Sequence, residues 1–161
     1  TLAIDPEGSG PDTHYKSLMA ISAAIDEYVK RTGRTDIRIW GYRNVWSHFK
    51  LGEVNTIIPV SLNSLAVLHN MFNTCFLSQR SASFPSYAFD GSFSELAQNI
   101  WVHQFNELRT ILGDKYFYES PSRMLNRAYG AIYMSDMSYQ EFTDYLVPLR
   151  RLLETKLILE K

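Results

Sequence analysis

The strongest constraint comes at the start of the chain. A short apolar run, Leu2-Ala3-Ile4, stops at Asp5-Pro6-Glu7-Gly8-Ser9-Gly10-Pro11, and helical spacing begins immediately afterwards. Two prolines and two glycines in those seven residues cannot continue a strand or start a helix, so the backbone must turn there. The opening therefore reads as a strand over 1–5, a tight loop, and a helix over 12–31. Asp12 or Ser9 serves as the cap, Leu18, Ile21, Ile25, Tyr28 and Val29 as the apolar stripe, and Gly33 as the stop.

The same pattern recurs along the chain. Asp36-Ile37-Arg38-Ile39-Trp40 alternates with period two, and Thr56-Ile57-Ile58-Pro59-Val60 is a β-branched run in which Pro59 marks an end or an edge. Leu62, Leu65, Leu68, Phe72 and Phe76 predict a helix over 62–78, capped by Ser61 or Asn63, with Cys75 buried on the stripe. The stretch 79–91, with Phe84, Tyr87 and Phe89, reads as an ordered surface loop and an interface. Ser92-Phe93-Ser94-Glu95 is a capping box for a helix with Leu96, Ile100, Gln104, Leu108, Ile111 and Leu112 on one side, ending at Gly113. Residues 114–122 read as irregular and 131–134 as a last strand. A second capping box, Ser138 to Glu141, starts a final helix that runs to about Leu153 and bends near Pro148.

Strands alternating with helices of this length predict an α/β layer structure with parallel pairing, because parallel strands need crossover connections. The 161 residues carry no linker, repeat or low-complexity tract, so 1–161 reads as a single domain. A three- or four-stranded sheet is small for a doubly wound domain, which predicts the carboxyl-terminal portion of a longer one. Sixteen basic against seventeen acidic residues leave a net charge of −1, too little field to recruit nucleic acid or an anionic membrane. No apolar run reaches the roughly 20 residues of a membrane span, and the single cysteine, Cys75, fits a reducing, cytoplasmic setting.

Chemistry-bearing residues gather where open α/β sheets place their sites, beyond the carboxyl ends of strands. His14 falls in the first helical turn, where the macrodipole favours the neutral imidazole that binds metal. Asp12 would orient that ring or cap the helix, and Asp5 and Glu7 add further oxygens. A capped helix with a solvated histidine is the plainer alternative. In Trp40-Gly41-Tyr42-Arg43-Asn44-Val45-Trp46, Trp40 offers a face for sugar stacking, and Arg43 and Asn44 offer donors for hydroxyl or phosphate oxygens. The plainer alternative is an aromatic corner in the core with Arg43 ion-paired. His48, His69 and His103 lack partners at ligand spacing, and no Gly-x-Ser-x-Gly elbow supports a serine nucleophile.

The stretches Ile4 to Lys16, Arg38 to Trp46 and Ser83-Phe84-Pro85-Ser86-Tyr87 together resemble the carboxyl-terminal domain of bacterial glucosamine-6-phosphate deaminase-like fusion proteins. That domain is similar to the PIG-L/LmbE family of zinc-dependent sugar N-deacetylases. The resemblance implies a partial Rossmann-like (LmbE-like) layered fold with a small, mainly parallel sheet and a helical carboxyl-terminal half. It also implies zinc, an amino-sugar or sugar-phosphate ligand, an upstream deaminase-like domain in the same chain, and homo-oligomers. Matched to the family's His-Pro-Asp-His motif, Gly10-Pro11-Asp12-Thr13-His14 makes His14 the metal ligand and Asp12 the catalytic aspartate, while Trp40, Arg43 and Asn44 are expected to bind substrate on their own chemistry. Gly10 replaces the motif's first histidine, Thr13 is inserted before His14, and the family's Pro-His-Pro-Asp-Asp-Glu motif does not occur. One protein ligand is fewer than the three a catalytic zinc needs, so the chain alone should be catalytically incomplete.

Overall fold

A computed structural model describes residues 1–5, 13–44, 47–78, 80 and 91–159, with side chains described as far as Arg151. The elements in chain order are β1 (Leu2–Ala3), α1 (Thr13–Thr32), β2 (Arg38–Tyr42), a 3-10 turn (Leu51–Glu53), β3 (Thr56–Ser61), α2 (Leu62–Cys75), α3 (Phe93–Leu112), α4 (Asp114–Tyr118), α5 (Arg123–Asn126), β4 (Ala128–Ser138) and α6 (Tyr139–Leu159). The strands make a four-stranded mixed sheet in the order β1-β2-β4-β3. The chain divides into two compact units, Thr1–Thr56 with Met134–Lys161, and Ile57–Tyr133.

In the first unit, β1 and β2 run parallel with Leu2 opposite Gly41 and Ala3 opposite Tyr42, and the Ile4 N–H extends the pairing to the Tyr42 carbonyl at 2.8 Å. β2 then pairs antiparallel with β4, Trp40 opposite Asp136. The expected mainly parallel sheet is thus corrected to a mixed one. Arg38 reaches Asp136 at 2.9 Å, and the Asn55 side chain accepts from the Asp136 N–H and donates to its carbonyl, mimicking a ladder residue just before β3. These partners let β4 run on through its polar residues to Ser138 instead of stopping near 134.

α1 ends where the sequence predicts, and its expected caps, Ser9 or Asp12, lie outside the described residues. Gly33 adopts φ +70°, a conformation that favours glycine, and its N–H closes the last turn on the Val29 carbonyl at 2.8 Å. Its buried side passes through Leu18 and Ser22, whereas Ile21 and Tyr28 from the expected stripe are exposed. Ser22 tolerates burial because its hydroxyl donates to the Met19 carbonyl at 2.9 Å and accepts from Arg150 of α6 at 3.1 Å. α6 contributes Phe142, Leu146 and Leu149 to the core and continues through Pro148 to Leu159, past the expected end.

In the second unit, Ser61 caps α2 by accepting from the Ser64 N–H. Leu65 is the buried anchor of that helix, while Leu62, Phe76 and Cys75 are exposed, contrary to the expected stripe and to a buried cysteine. The segment 114–122, expected to be irregular, contains α4, and α5 follows it. α4 is held by Phe117, which packs edge-on to Phe105 with centroids 4.9 Å apart, and by Asp114, paired with Arg109 at 2.7 Å. The loop expected over 79–91 falls almost wholly outside the described residues.

The Ser92 capping box forms as expected, with the Glu95 N–H on Ser92 Oγ and the Ser92 N–H on Glu95 Oε2 at 2.8 Å. The Ser92 backbone N–H, and then its hydroxyl, hold the Glu95 carboxyl below its ordinary value. A carboxyl depressed in the folded state stabilises above its unfolded value, and that contribution disappears as pH falls through the folded one. Ser92→Ala should therefore cost about 1 kcal/mol at neutral pH. The deficit of Glu95→Gln should be present at neutral pH and shrink on acidification, both read by urea unfolding.

Candidate functional site

The predicted site residues that the structure describes gather, Trp40 apart, where β1 and β2 end and α1 begins. Parallel pairing of β1 with β2 delivers Asp5 and Asn44 to the same side of the molecule, each just past its strand. The Asp5 side chain is 11% exposed and both its carboxylate oxygens accept hydrogen bonds: Oδ1 the Asn44 backbone N–H at 2.6 Å and Oδ2 Asn44 Nδ2 at 2.5 Å. Asn44 Nδ2 also lies 3.0 Å from His14 Nδ1, and His14 Nδ1 is 3.8 Å from Asp5 Oδ2. The imidazole, in the first turn of α1, is half exposed.

Arg43 forms the floor beside this cluster. Its side chain is 13% exposed, its Nη1 donates to both Glu53 oxygens at 3.1 and 3.2 Å, and its guanidinium lies 4.1 Å over the Phe49 ring. Nε is buried without a hydrogen-bond partner. The Lys50 backbone N–H, joined by Arg43, holds Glu53 below its ordinary value and so keeps it an anion beside the guanidinium. Arg43 is thus ion-paired, the plainer of the two readings of this residue. Tyr145 of α6 donates to the Ile4 carbonyl at 2.6 Å, immediately before Asp5. Burial pushes that hydroxyl up, which keeps it a donor. Tyr145 stands 141 residues from Ile4, so no local pattern announces its part in the site.

Comparison with protein-family models, curated proteins and solved structures finds no match.

The remaining predicted residues separate from the cluster in different ways. Trp40 is 42% exposed and shares the outward face of β2 with Arg38 and Tyr42, and it takes no part in the hydrogen bonds that join Asp5, Asn44 and His14. Asp12, assigned the catalytic role, lies outside the described residues, as do Glu7, Gly10 and Trp46. His48 and His103 are exposed. His69 joins α2 to α3 through Asn73 at 2.9 Å and Ser94 at 3.3 Å, so both its ring nitrogens serve packing.

Asp5 and His14 are the right chemical kinds to ligate zinc, and Asn44 stands between them. Asn44 Nδ2 occupies the position between Asp5 Oδ2 and His14 Nδ1, within hydrogen-bond distance of both. Among the described residues, no three His, Cys, Asp or Glu side chains converge at metal-binding distances, against the three protein ligands of a catalytic zinc. What the cluster can do is hydrogen-bond to a polar ligand at the half-exposed imidazole, with Asp5 and Asn44 holding the ring in place.

Proposed function

We propose that this chain forms part of an amino-sugar-processing protein of the PIG-L/LmbE-like kind, with Asp5, Asn44 and His14 on one wall of its sugar site. The observation that carries this reading is the convergence of the three on one hydrogen-bonded network beyond the carboxyl ends of two parallel strands, the place where open α/β sheets bind ligands. In a partial Rossmann-like layer the rest of the sheet, and an upstream deaminase-like domain, would supply the facing wall, with association into homo-oligomers. The exposed free thiol of Cys75 agrees with a reducing cytoplasmic compartment. Among the described residues no helix is long and apolar enough to cross a membrane.

Kinship with sugar N-deacetylases would add hydrolysis of an N-acetyl amide, with zinc on His14 and Asp12 in the catalytic role. The position of Asn44 between Asp5 and His14 favours a second reading, a module that binds a sugar phosphate without hydrolysing it. In the binding-module reading His14 meets the ligand, Asn44 and Asp5 orient the ring, and Arg43, tied to Glu53, shapes the floor.

The deciding experiment measures zinc content, acetate release from N-acetylglucosamine 6-phosphate and binding of glucosamine 6-phosphate on the protein that carries this chain. Zinc with acetate release, both lost in His14→Ala, establishes the hydrolase. Saturable binding weakened at least tenfold by His14→Ala, without acetate, establishes the binding module. Neither activity overturns the amino-sugar reading.

A further inference from the structure

We infer that Asn44 selects the tautomer of His14, so that the site offers an Nε2–H donor to a ligand oxygen and not a lone pair to a cation. This deepens the sugar-site reading and rests on it for the class of ligand. The argument starts at Asp5. Its Oδ2 is 2.5 Å from the Asn44 amide nitrogen, a position that an amide oxygen cannot take beside a carboxylate oxygen, because two acceptors would then face each other. The Asn44 backbone N–H, 2.6 Å from Oδ1, pins the other oxygen and stops the carboxylate from turning. The orientation of the amide is therefore set by Asp5 and owes nothing to the histidine.

An amide nitrogen has two hydrogens, and the second faces His14 Nδ1 at 3.0 Å. Nδ1 must then be the acceptor, and the neutral ring carries its proton on Nε2. Among the described residues Nε2 makes no hydrogen bond, and the side chain is 51% exposed, so this N–H is the group a ligand meets. Its natural partner is a hydroxyl, amide or phosphate oxygen of a sugar derivative.

A cation on Nε2 requires the opposite tautomer. Nδ1–H would then confront Asn44 Nδ2–H, donor against donor. The conflict disappears only when the amide leaves and Nδ1–H closes the 3.8 Å gap to Asp5, giving the carboxylate–histidine pair that commonly backs a metal ligand. Asn44 thus separates the two readings of the site: in place it gives a sugar-oxygen donor, and removed it leaves a ring prepared for metal.

The test is long-range 1H–15N NMR of His14, recorded where the ring is neutral, in the wild-type chain, Asn44→Ala and Asp5→Asn. The wild-type ring should be the Nε2–H tautomer. Asn44→Ala should move the ratio at least tenfold toward Nδ1–H, the order expected for a hydrogen bond to a charged acceptor. It should also raise the affinity for zinc alone by about tenfold, as a restored carboxylate partner does. Asp5→Asn, which frees the Asn44 amide to turn its oxygen toward Nδ1, should loosen the Nε2–H preference while leaving zinc affinity unraised, because no carboxylate then backs the ring. A folded Asn44→Ala variant whose tautomer stays Nε2–H, or a wild-type ring in the Nδ1–H form, overturns the inference. Tautomer and zinc affinity are read with no sugar present, so this result is independent of the glucosamine 6-phosphate binding that tests the site's ligand.

Discussion

Truncating Phe142 to alanine should cost the first unit about 3–5 kcal/mol, the usual loss for a fully buried aromatic ring. Phe142 is 1% exposed, and it leads the buried line of α6 that continues through Leu146 and Leu149. That line is the side of the helix from which Tyr145 reaches the Ile4 carbonyl one position away, so a cavity there loosens the support of Asp5 as well as the core. Urea unfolding should show the midpoint falling with little change in slope. A loss below about 1 kcal/mol would mean that the ring is not the anchor described here.

The second large effect is expected from Gly41→Val. A Cβ at this position would collide with Ile4 Cδ1 and sit 2.8 Å from Ile4 Cγ1 and 3.1 Å from Met137 Cε. Glycine is needed for space, since β1 and β4 approach the middle of β2 from both sides. Ile4 is 1% exposed, so overpacking should cost about 1–3 kcal/mol. Because the carbonyl of Ile4 leads directly into Asp5, the same substitution should disturb the Asp5–Asn44 hydrogen bonds. Sugar-phosphate binding should then weaken more than the stability loss alone accounts for, measured by calorimetry below the melting range. Full binding in a destabilised but folded Gly41→Val would show that the site is insulated from the β1–β2 pairing.

The features legible in the sequence are those closed within a few residues. Ser92 with Glu95 and Ser138 with Glu141 form their hydrogen bonds across three positions, Ser61 caps α2 in the same way, and Gly33 and Gly113 end their helices by adopting positive φ. Each depends on chemistry carried by its own segment, so these particular starts and stops appear where the residue pattern puts them. His14 and Asn44 were legible for a related reason, since each lies at the junction of a recognisable strand and loop or helix.

Burial and pairing were not legible in that way. Ser22 is buried and Ile21 exposed because Arg150, 128 residues away, supplies the partner that makes a buried hydroxyl tolerable. The strand read over 131–134 runs on past Asp136 because Arg38 and Asn55 pair with that residue. α4 is too short to show a period, and Phe117 is held by packing against Phe105.

The sequence by itself determined the alternation of strands and helices, their caps, and the presence of His14, Arg43 and Asn44 near strand ends, because local hydrogen bonding and periodicity decide these. Only the tertiary structure decided that the sheet is mixed, that Glu53 claims Arg43, and that Asn44 stands between Asp5 and His14. Those outcomes depend on which distant donors and acceptors meet, and a hydrogen bond between residues 39 positions apart leaves no mark on the spacing of either.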